Sequence, residues 1–175
     1  MNVSSLEFRT EGFLESLLAI LKDTRLDPRY LELELTESVL MQHAKSSASV
    51  LSTLKSIGVR LAVDDFGTGY SSLSYLKRFP IDSLKIDQSF VHDITTDTDD
   101  VTIVSAVITM AKGLKKCVIA EGVETEEQMT FLQAHGCDEA QGYYFSKPVV
   151  AHQFAKLLET GIAPFRPHAS VSVPV

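Results

Sequence analysis

Two adjacent carboxylates, Asp64 and Asp65, end the short apolar run Leu61-Ala-Val63 and lead into the glycine-rich stretch Phe66-Gly-Thr-Gly-Tyr-Ser-Ser-Leu73. Like charges side by side repel, so such a pair costs stability unless something positive sits against it. Hard divalent cations, which prefer oxygen ligands, meet that need. Gly67 and Gly69 let the loop take backbone angles closed to other residues, or approach a ligand closely. The simpler alternative is a strand end followed by a polar turn. Against it stands the rest of the chain: Glu34 and Glu37, Lys85 and Asp87, Glu121 and Glu124, and Gln141 each follow a short apolar run. Carboxylate and amide oxygens without paired histidines point to Mg2+ or Mn2+ rather than zinc. Two such ions can clamp the attacking and leaving oxygens of a phosphodiester and generate hydroxide at neutral pH. Lys85 is then available to stabilise phosphate charge or orient the attacking water. A salt bridge to Asp87 or a neighbouring acid is its competing role.

The elements that must position these groups alternate. Phe13, Leu17, Ile20 and Leu21 share one helical face, closed by the turn at Leu26-Asp-Pro28. In Tyr30–Thr36, Leu31, Leu33 and Leu35 alternate with Glu32 and Glu34, a strand pattern. A helix is predicted from Ala44 to Ile57, stopped by Gly58, and then a strand from Val59 to Val63 that delivers the two aspartates. A short helix over Ser72–Lys77 precedes Pro80, and Ser83–Ile86 forms a brief strand. Helix Asp99–Leu114 carries Ile103, Val107, Met110 and Leu114 at helical spacing. Strand Cys117–Ala120 is followed by a helix with Thr125 and Gln128 as a capping box, and Gly136 ends it. A last strand over Glu139–Phe145 and a helix over Ala151–Leu158 complete the series. Strand and helix in alternation imply an α/β fold with a parallel sheet. In a (β/α) barrel the strands' C-terminal tips converge on one mouth, where the polar residues named above would meet.

The 175 residues fit one domain, and 45% hydrophobic with 22% charged residues is ordinary for a soluble globular chain. A net charge of −7 argues against non-specific binding to DNA, although metals can supply local positive charge for an anionic ligand. Cys117 and Cys137 have no metal-ligand spacing and read as reduced structural thiols of a cytoplasmic chain. The five histidines read as surface or packing residues. There is no signal-peptide pattern and no apolar run of ~18 residues, so no membrane span is expected in this chain, and a tether would have to lie in a longer parent protein. The residues from 161 onward read as a flexible C-terminal tail.

Glu34-Leu-Thr-Glu37-Ser, Asp64-Asp-Phe-Gly-Thr-Gly-Tyr-Ser-Ser-Leu73, Leu84-Lys-Ile-Asp87, Ala120-Glu-Gly-Val-Glu-Thr125 and Gln141-Gly-Tyr, in this order, closely resemble the EAL domain, the family of bacterial cyclic di-GMP phosphodiesterases. The resemblance implies a TIM-type (β/α)8 barrel that opens cyclic di-GMP to the linear dinucleotide with two Mg2+ or Mn2+ ions. By position, Asn2, Glu34 and Asp64 resemble metal ligands, and Asp65 a ligand of the second metal. Lys85 matches the lysine near the attacking water, Asp87 its acidic neighbour, and Glu121 the carboxylate supporting the second metal or its water. Glu37 resembles the acid that holds the glycine-rich loop, which in the family is tied to metal binding and dimerisation. Glu124 and Gln141 match supporting positions at the mouth. The family also implies a homodimer through the region around Asp64–Leu73 and, in many members, an upstream diguanylate cyclase or sensory domain.

The Glu-Ala-Leu signature that names the family is absent, and its glutamate is a metal ligand of the first strand. The match begins where a third strand would end, so residues 1–160 read as a partial domain lacking about two β/α units of a barrel that usually takes ~250 residues. The expectation is that this chain by itself is inactive, unless a domain-swapped or edge-paired partner covers the gap. A module that binds cyclic di-GMP or a protein without hydrolysis is the alternative.

Overall fold

The computed structural model describes residues 1–42, 44–69 and 73–161. Its centre is a parallel sheet of five strands in sequence order: β1 (Glu32–Thr36), β2 (Arg60–Phe66), β3 (Ser83–Ile86), β4 (Cys117–Ala120) and β5 (Glu139–Ala140). Each strand lies beside the next, as in a section of a (β/α) barrel. Outside β1 the chain's first residues extend the pattern, since Asn2 forms a parallel bridge with Glu34. Parallel neighbours need crossover connections, and helices supply them. They are α1 (Ser5–Arg9), α2 (Phe13–Thr24), α3 (Glu37–Gln42), α4 (Ala44–Ser56), α5 (Leu73–Arg78), α6 (Gln88–His92), α7 (Thr98–Gly113), α8 (Glu126–His135) and α9 (Ala151–Thr160).

The sheet's two faces differ. Leu33, Leu35, Leu61, Val63, Leu84, Ile86 and Val118 are buried in one hydrophobic core with Leu51, Leu54, Val104, Ile108 and Leu132 from the helices. The opposite face is polar and runs in layers. Glu32 Oε2 accepts from Ser83 Oγ at 3.4 Å, and one step further along the strands Glu34 meets Lys85. Period-2 alternation in β1 and β3 therefore sorts leucines to the helices and charges to the barrel interior.

The strands' lower ends are tied by acids that precede them. Asp82 accepts from Leu61 N at 2.8 Å and pairs with Lys55 Nζ at 2.7 Å, and Asp138 accepts from Val118 N at 2.9 Å. Cys117 and Cys137 are free, and burial pushes both thiols up to about 11, so they stay protonated.

Several elements depart from the sequence pattern. Strand β5 spans two residues rather than seven, because the chain turns at Gly142 against the backbone of Val123. A Cβ at Gly142 would stand 2.2 Å from the Val123 carbonyl oxygen, so only glycine fits there. Residues Pro28–Tyr30 form a 3-10 turn, which delays the start of β1 to Glu32. Short helices α1, α3 and α6 fall in segments without helical apolar periodicity; capping residues start two of them, Ser4 with Glu7 for α1 and Asp87 for α6. In α7 the buried stripe is Val104, Val107, Ile108 and Ala111, which leaves Ile103 facing out; in α2 Ile20 is likewise exposed. Of the expected C-terminal tail, residues 162–175 lie outside the described residues, as do 70–72 of the glycine-rich loop.

Candidate active site

The two aspartates do not follow strand β2; they are inside it. Val63 pairs with Leu84 but Phe66 pairs with Ile86, so β2 carries one extra residue here, a β-bulge. In a regular strand adjacent side chains point to opposite faces, and only one aspartate could reach the interior. The bulge, with Asp65 at a left-handed φ of 52°, brings both to the mouth. Carboxylate oxygens of Asp64, Asp65 and Glu121 all lie within 4.8 Å of one another.

At the centre stands Lys85, only 4% exposed at its side chain. Its Nζ donates to Glu34 Oε2 at 2.7 Å and contacts Asp64 Oδ1 at 3.1 Å and Glu121 Oε1 at 2.6 Å. The sequence left open a salt bridge to Asp87 or another acid. The structure pairs Lys85 with three acids from the three other long strand ends, and not with Asp87. Burial opposes the ammonium charge, but the hydrogen bonds and charges of Glu121, Glu34 and Asp64 outweigh it and raise the pKa above the ordinary lysine value. Glu121 is itself raised: burial and the Asp64 and Glu34 charges outweigh the Lys85 contact. Gln141 Nε2 donates to the same Glu121 oxygen at 2.6 Å and so fixes its orientation.

Asp65 is raised by burial, by the Asp64 and Asp87 charges, and by a side-chain hydrogen bond with Asp87. Asp87 also caps α6, accepting from Ser89 N at 2.8 Å, so it performs a structural task as well. Asn2 turns its amide toward Glu34 and Asp64. With the nitrogen facing them it donates at 3.0 and 3.2 Å; with the oxygen facing them three acceptors converge, as ligands do around a cation. An all-oxygen set of Asn2, Glu34, Asp64, Asp65 and Glu121 fits a hard divalent ion.

The remaining expected residues sit around this cluster. Glu37, 3% exposed, opens α3, and among the described residues neither of its carboxylate oxygens has a hydrogen-bond partner. It lies under Gly69, where an added Cβ would be 3.5 Å from Oε2. Gly67 packs on the Phe90 ring with φ 102°, which explains glycine there by both conformation and space. Glu124 lines the mouth further out, its backbone N–H held by Gln128 Oε1 at 2.7 Å.

A cavity of about 910 Å³ opens from the acids. Asp65, Asp87, Glu121, Glu124 and Gln141 form one wall, and Tyr143, Phe145, Lys147, Pro148 and Phe154 the other. Lys147 Nζ lies 5.6 Å from the centre of the Tyr143 ring. Sequence reasoning stopped at Gln141-Gly-Tyr and missed this second wall. The run Tyr143-Tyr-Phe-Ser-Lys-Pro148 held the signal, three aromatics and a cation in six residues directly after a site residue.

The EAL domain family model matches residues 1–148. This chain belongs to the EAL domain family. It is 44% identical over 153 residues to the Pseudomonas aeruginosa bifunctional diguanylate cyclase/cyclic di-GMP phosphodiesterase MucR, covering 87% of this chain and 22% of MucR. The MucR phosphodiesterase in complex with c-di-GMP superimposes with a TM-score of 0.85, covering 87% of this chain and 62% of that one. The EAL domain of Mycobacterium smegmatis DcpA, 44% identical, gives 0.86 over 93% of this chain and 73% of that domain. A Klebsiella pneumoniae BlrP1 complex with manganese and cyclic di-GMP, 35% identical, gives 0.77 over 85% of this chain and 38% of BlrP1. The chain thus spans about a fifth to a quarter of the curated relatives it matches first, 23% of one and 22% of the next. Among the described residues no helix is long and apolar enough to cross a membrane.

Proposed function

We propose that this EAL domain takes part in the metal-dependent hydrolysis of cyclic di-GMP to the linear dinucleotide. The observation that carries the reading is the convergence of Asn2, Glu34, Asp64, Asp65 and Glu121 around one buried lysine, at the mouth of a cavity large enough for a dinucleotide. The MucR and BlrP1 complexes, both with the cyclic dinucleotide, support that substrate class.

Asn2, Glu34 and Asp64 would hold one cation, Mg2+ or Mn2+, and Asp65 with Glu121 a second. Bound there, divalent ions supply Lewis-acid charge to the phosphodiester and lower the pKa of a bound water. The protein's own groups do the rest. Lys85 remains charged through neutral pH and would place an ammonium beside the reacting phosphate while holding Glu34, Asp64 and Glu121 together. Gln141 holds the Glu121 oxygen in place. Tyr143, Phe145 and Phe154 offer apolar surface to the bases and exclude water from one side of the cavity. Glu37 and the glycines at 67 and 69 would set the loop beside the second cation, and Glu124 the rim.

We also propose that residues 1–160 form the domain portion, and that two copies associate through the region around Asp64–Leu73; the exposed Leu73 and Tyr75 directly after the loop support such a contact. An upstream diguanylate cyclase or sensory domain fits the same setting, since the relative MucR is a bifunctional diguanylate cyclase/cyclic di-GMP phosphodiesterase. The test is incubation with cyclic di-GMP and Mn2+, with and without the N-terminal third of the MucR EAL domain supplied in trans, following products by chromatography beside Asp64→Asn. Linear dinucleotide that depends on Asp64 in either format supports hydrolysis. No product in both would move the reading to a binding module.

A further inference from the structure

Gln128 is 3% exposed, one of the few fully buried polar side chains outside the acidic cluster. As the N3 residue of the α8 capping box it needs one bond, from Thr125 N to its Oε1, at 3.0 Å. It makes two more. Oε1 also accepts from Glu124 N at 2.7 Å, and Nε2 donates to the carbonyl of His92, the last residue of α6, at 3.0 Å. Those extra bonds join two segments that each carry an acid of the site. One is the β4–α8 loop with Glu121 and Glu124; the other is α6, whose cap is Asp87.

The two segments also meet at the other end of α6. Gly122, at φ 71°, lies against Gln88, and a Cβ on it would stand 2.6 Å from Gln88 Cβ. The loop is therefore held to α6 at its first residue by a glycine contact and at its last by Gln128. Inside this latched unit Glu121 reaches Lys85 at 2.6 Å, and Asp87, the cap of α6, lines the same cavity as Asp65.

We propose that Gln128 is a positioning residue for the acidic cluster. By locking the loop 121–125 onto α6 it fixes Glu121 and Asp87 relative to the Asp64–Asp65 bulge. Removing its amide takes the shared partner from the His92 carbonyl and from the Glu124 and Thr125 N–H groups, all in part-buried bonds, and with it the tie between loop and helix. The loop then shifts, and Glu121 leaves the 4.8 Å group it forms with Asp64 and Asp65. This inference rests on the two-cation reading above.

The test is Mn2+ binding to the full chain, read from the electron paramagnetic resonance signal of the free ion, with thermal midpoints measured in parallel. Gln128→Ala is expected to bind Mn2+ about 10- to 100-fold more weakly, the usual effect of losing a group that orients a metal ligand. Gln128→Glu separates positioning from capping. Glutamate serves a capping box as well as glutamine, but it turns the donor to His92 into a repelling oxygen. It is expected to remain at least about 10-fold weaker than wild type. Asp82→Asn, which loosens the opposite end of the sheet, is the stability control, with a lower midpoint and unchanged Mn2+ affinity. Wild-type affinity in Gln128→Glu, with only a lowered midpoint, would reduce Gln128 to a cap and overturn the proposal. Absence of Mn2+ binding by the wild type would overturn the two-cation reading and this proposal with it.

Discussion

Asp65→Asn should make the metal-free protein more stable and the Mn2+-loaded protein less so. Asparagine tolerates the left-handed backbone that Asp65 adopts at φ 52°, so the substitution changes charge and little else. In the absence of cations the Asp65 carboxylate faces those of Asp64 and Asp87, and its pKa is raised by burial and by both charges. Two unit charges within 4.8 Å repel by at least about 3.5 kcal/mol at an effective dielectric of ~20. Attraction to Lys85 and partial solvent exposure reduce the net gain on neutralisation to about 1–2 kcal/mol, or roughly 2–8 °C in the midpoint for a chain of this size. With Mn2+ present the order reverses, because a ligand that binds only the folded state stabilises in proportion to its affinity, and asparagine is the poorer ligand. Thermal unfolding followed by circular dichroism in EDTA and in saturating Mn2+ reads both arms. A midpoint that falls in EDTA, or a Mn2+ increment as large as in wild type, would rule out charge repulsion and cation binding at Asp65.

Lys85→Met leaves Glu34, Asp64 and Glu121 facing one another without their shared cation. The metal-free chain should lose about 3 kcal/mol, the lower end for a broken buried pair, since the three acids retain some solvent contact; urea titration measures it, and an unchanged midpoint would contradict the pairing. The pH dependence has two signs. Lys85's folded pKa is raised, so its contribution is complete below the unfolded lysine value and is lost only as pH climbs through the higher folded one. Asp65 and Glu121 are also raised, but as acids they oppose folding once ionised. Metal-free stability should therefore fall as pH rises from the unfolded carboxylate value of about 4 through their folded values, while Mn2+ affinity rises over the same window; the opposite slopes in calorimetry would reject the assignment. Gly142→Ala places a methyl 2.2 Å from the Val123 carbonyl, and strain of at least about 1–3 kcal/mol should appear as a lowered midpoint with loss of the Gln141–Glu121 bond; a wild-type midpoint would argue that the turn has slack.

Much of this arrangement was legible in the residues. The apolar runs ending in Glu34, Asp64 and Glu121 located three strand ends, and parallel alternation with helices then obliged those ends to converge. Lys85 was readable as central but not as to which acids it would meet, because partner choice depends on register, and register is set by the leucines packing on the far face. The bulge in β2 was not legible at all. Nothing in Val63-Asp-Asp-Phe66 shows that one residue is extra, since the count exists only relative to β3. The brevity of β5 has the same origin: Tyr143 and Phe145 carry strand propensity, but the close approach of Gly142 to Val123 turns them into a cavity wall. Gln128 was recognised as a cap, and its bond to the His92 carbonyl could not be inferred from spacing, because it joins elements 36 residues apart.

In the proposed function, cations held by the acidic cluster bind the phosphodiester, because the cluster alone would repel it. A chain of net charge −7 presents Glu34, Asp64, Asp65, Asp87, Glu121 and Glu124 at or beside the site to an anionic dinucleotide. Isothermal calorimetry of cyclic di-GMP against the chain, in EDTA and in a non-turnover divalent ion such as Ca2+, tests this directly beside Asp64→Asn. Binding is expected with the divalent ion only, and is expected to be lost in Asp64→Asn. Equal affinity in EDTA, or an unaffected Asp64→Asn, would contradict it.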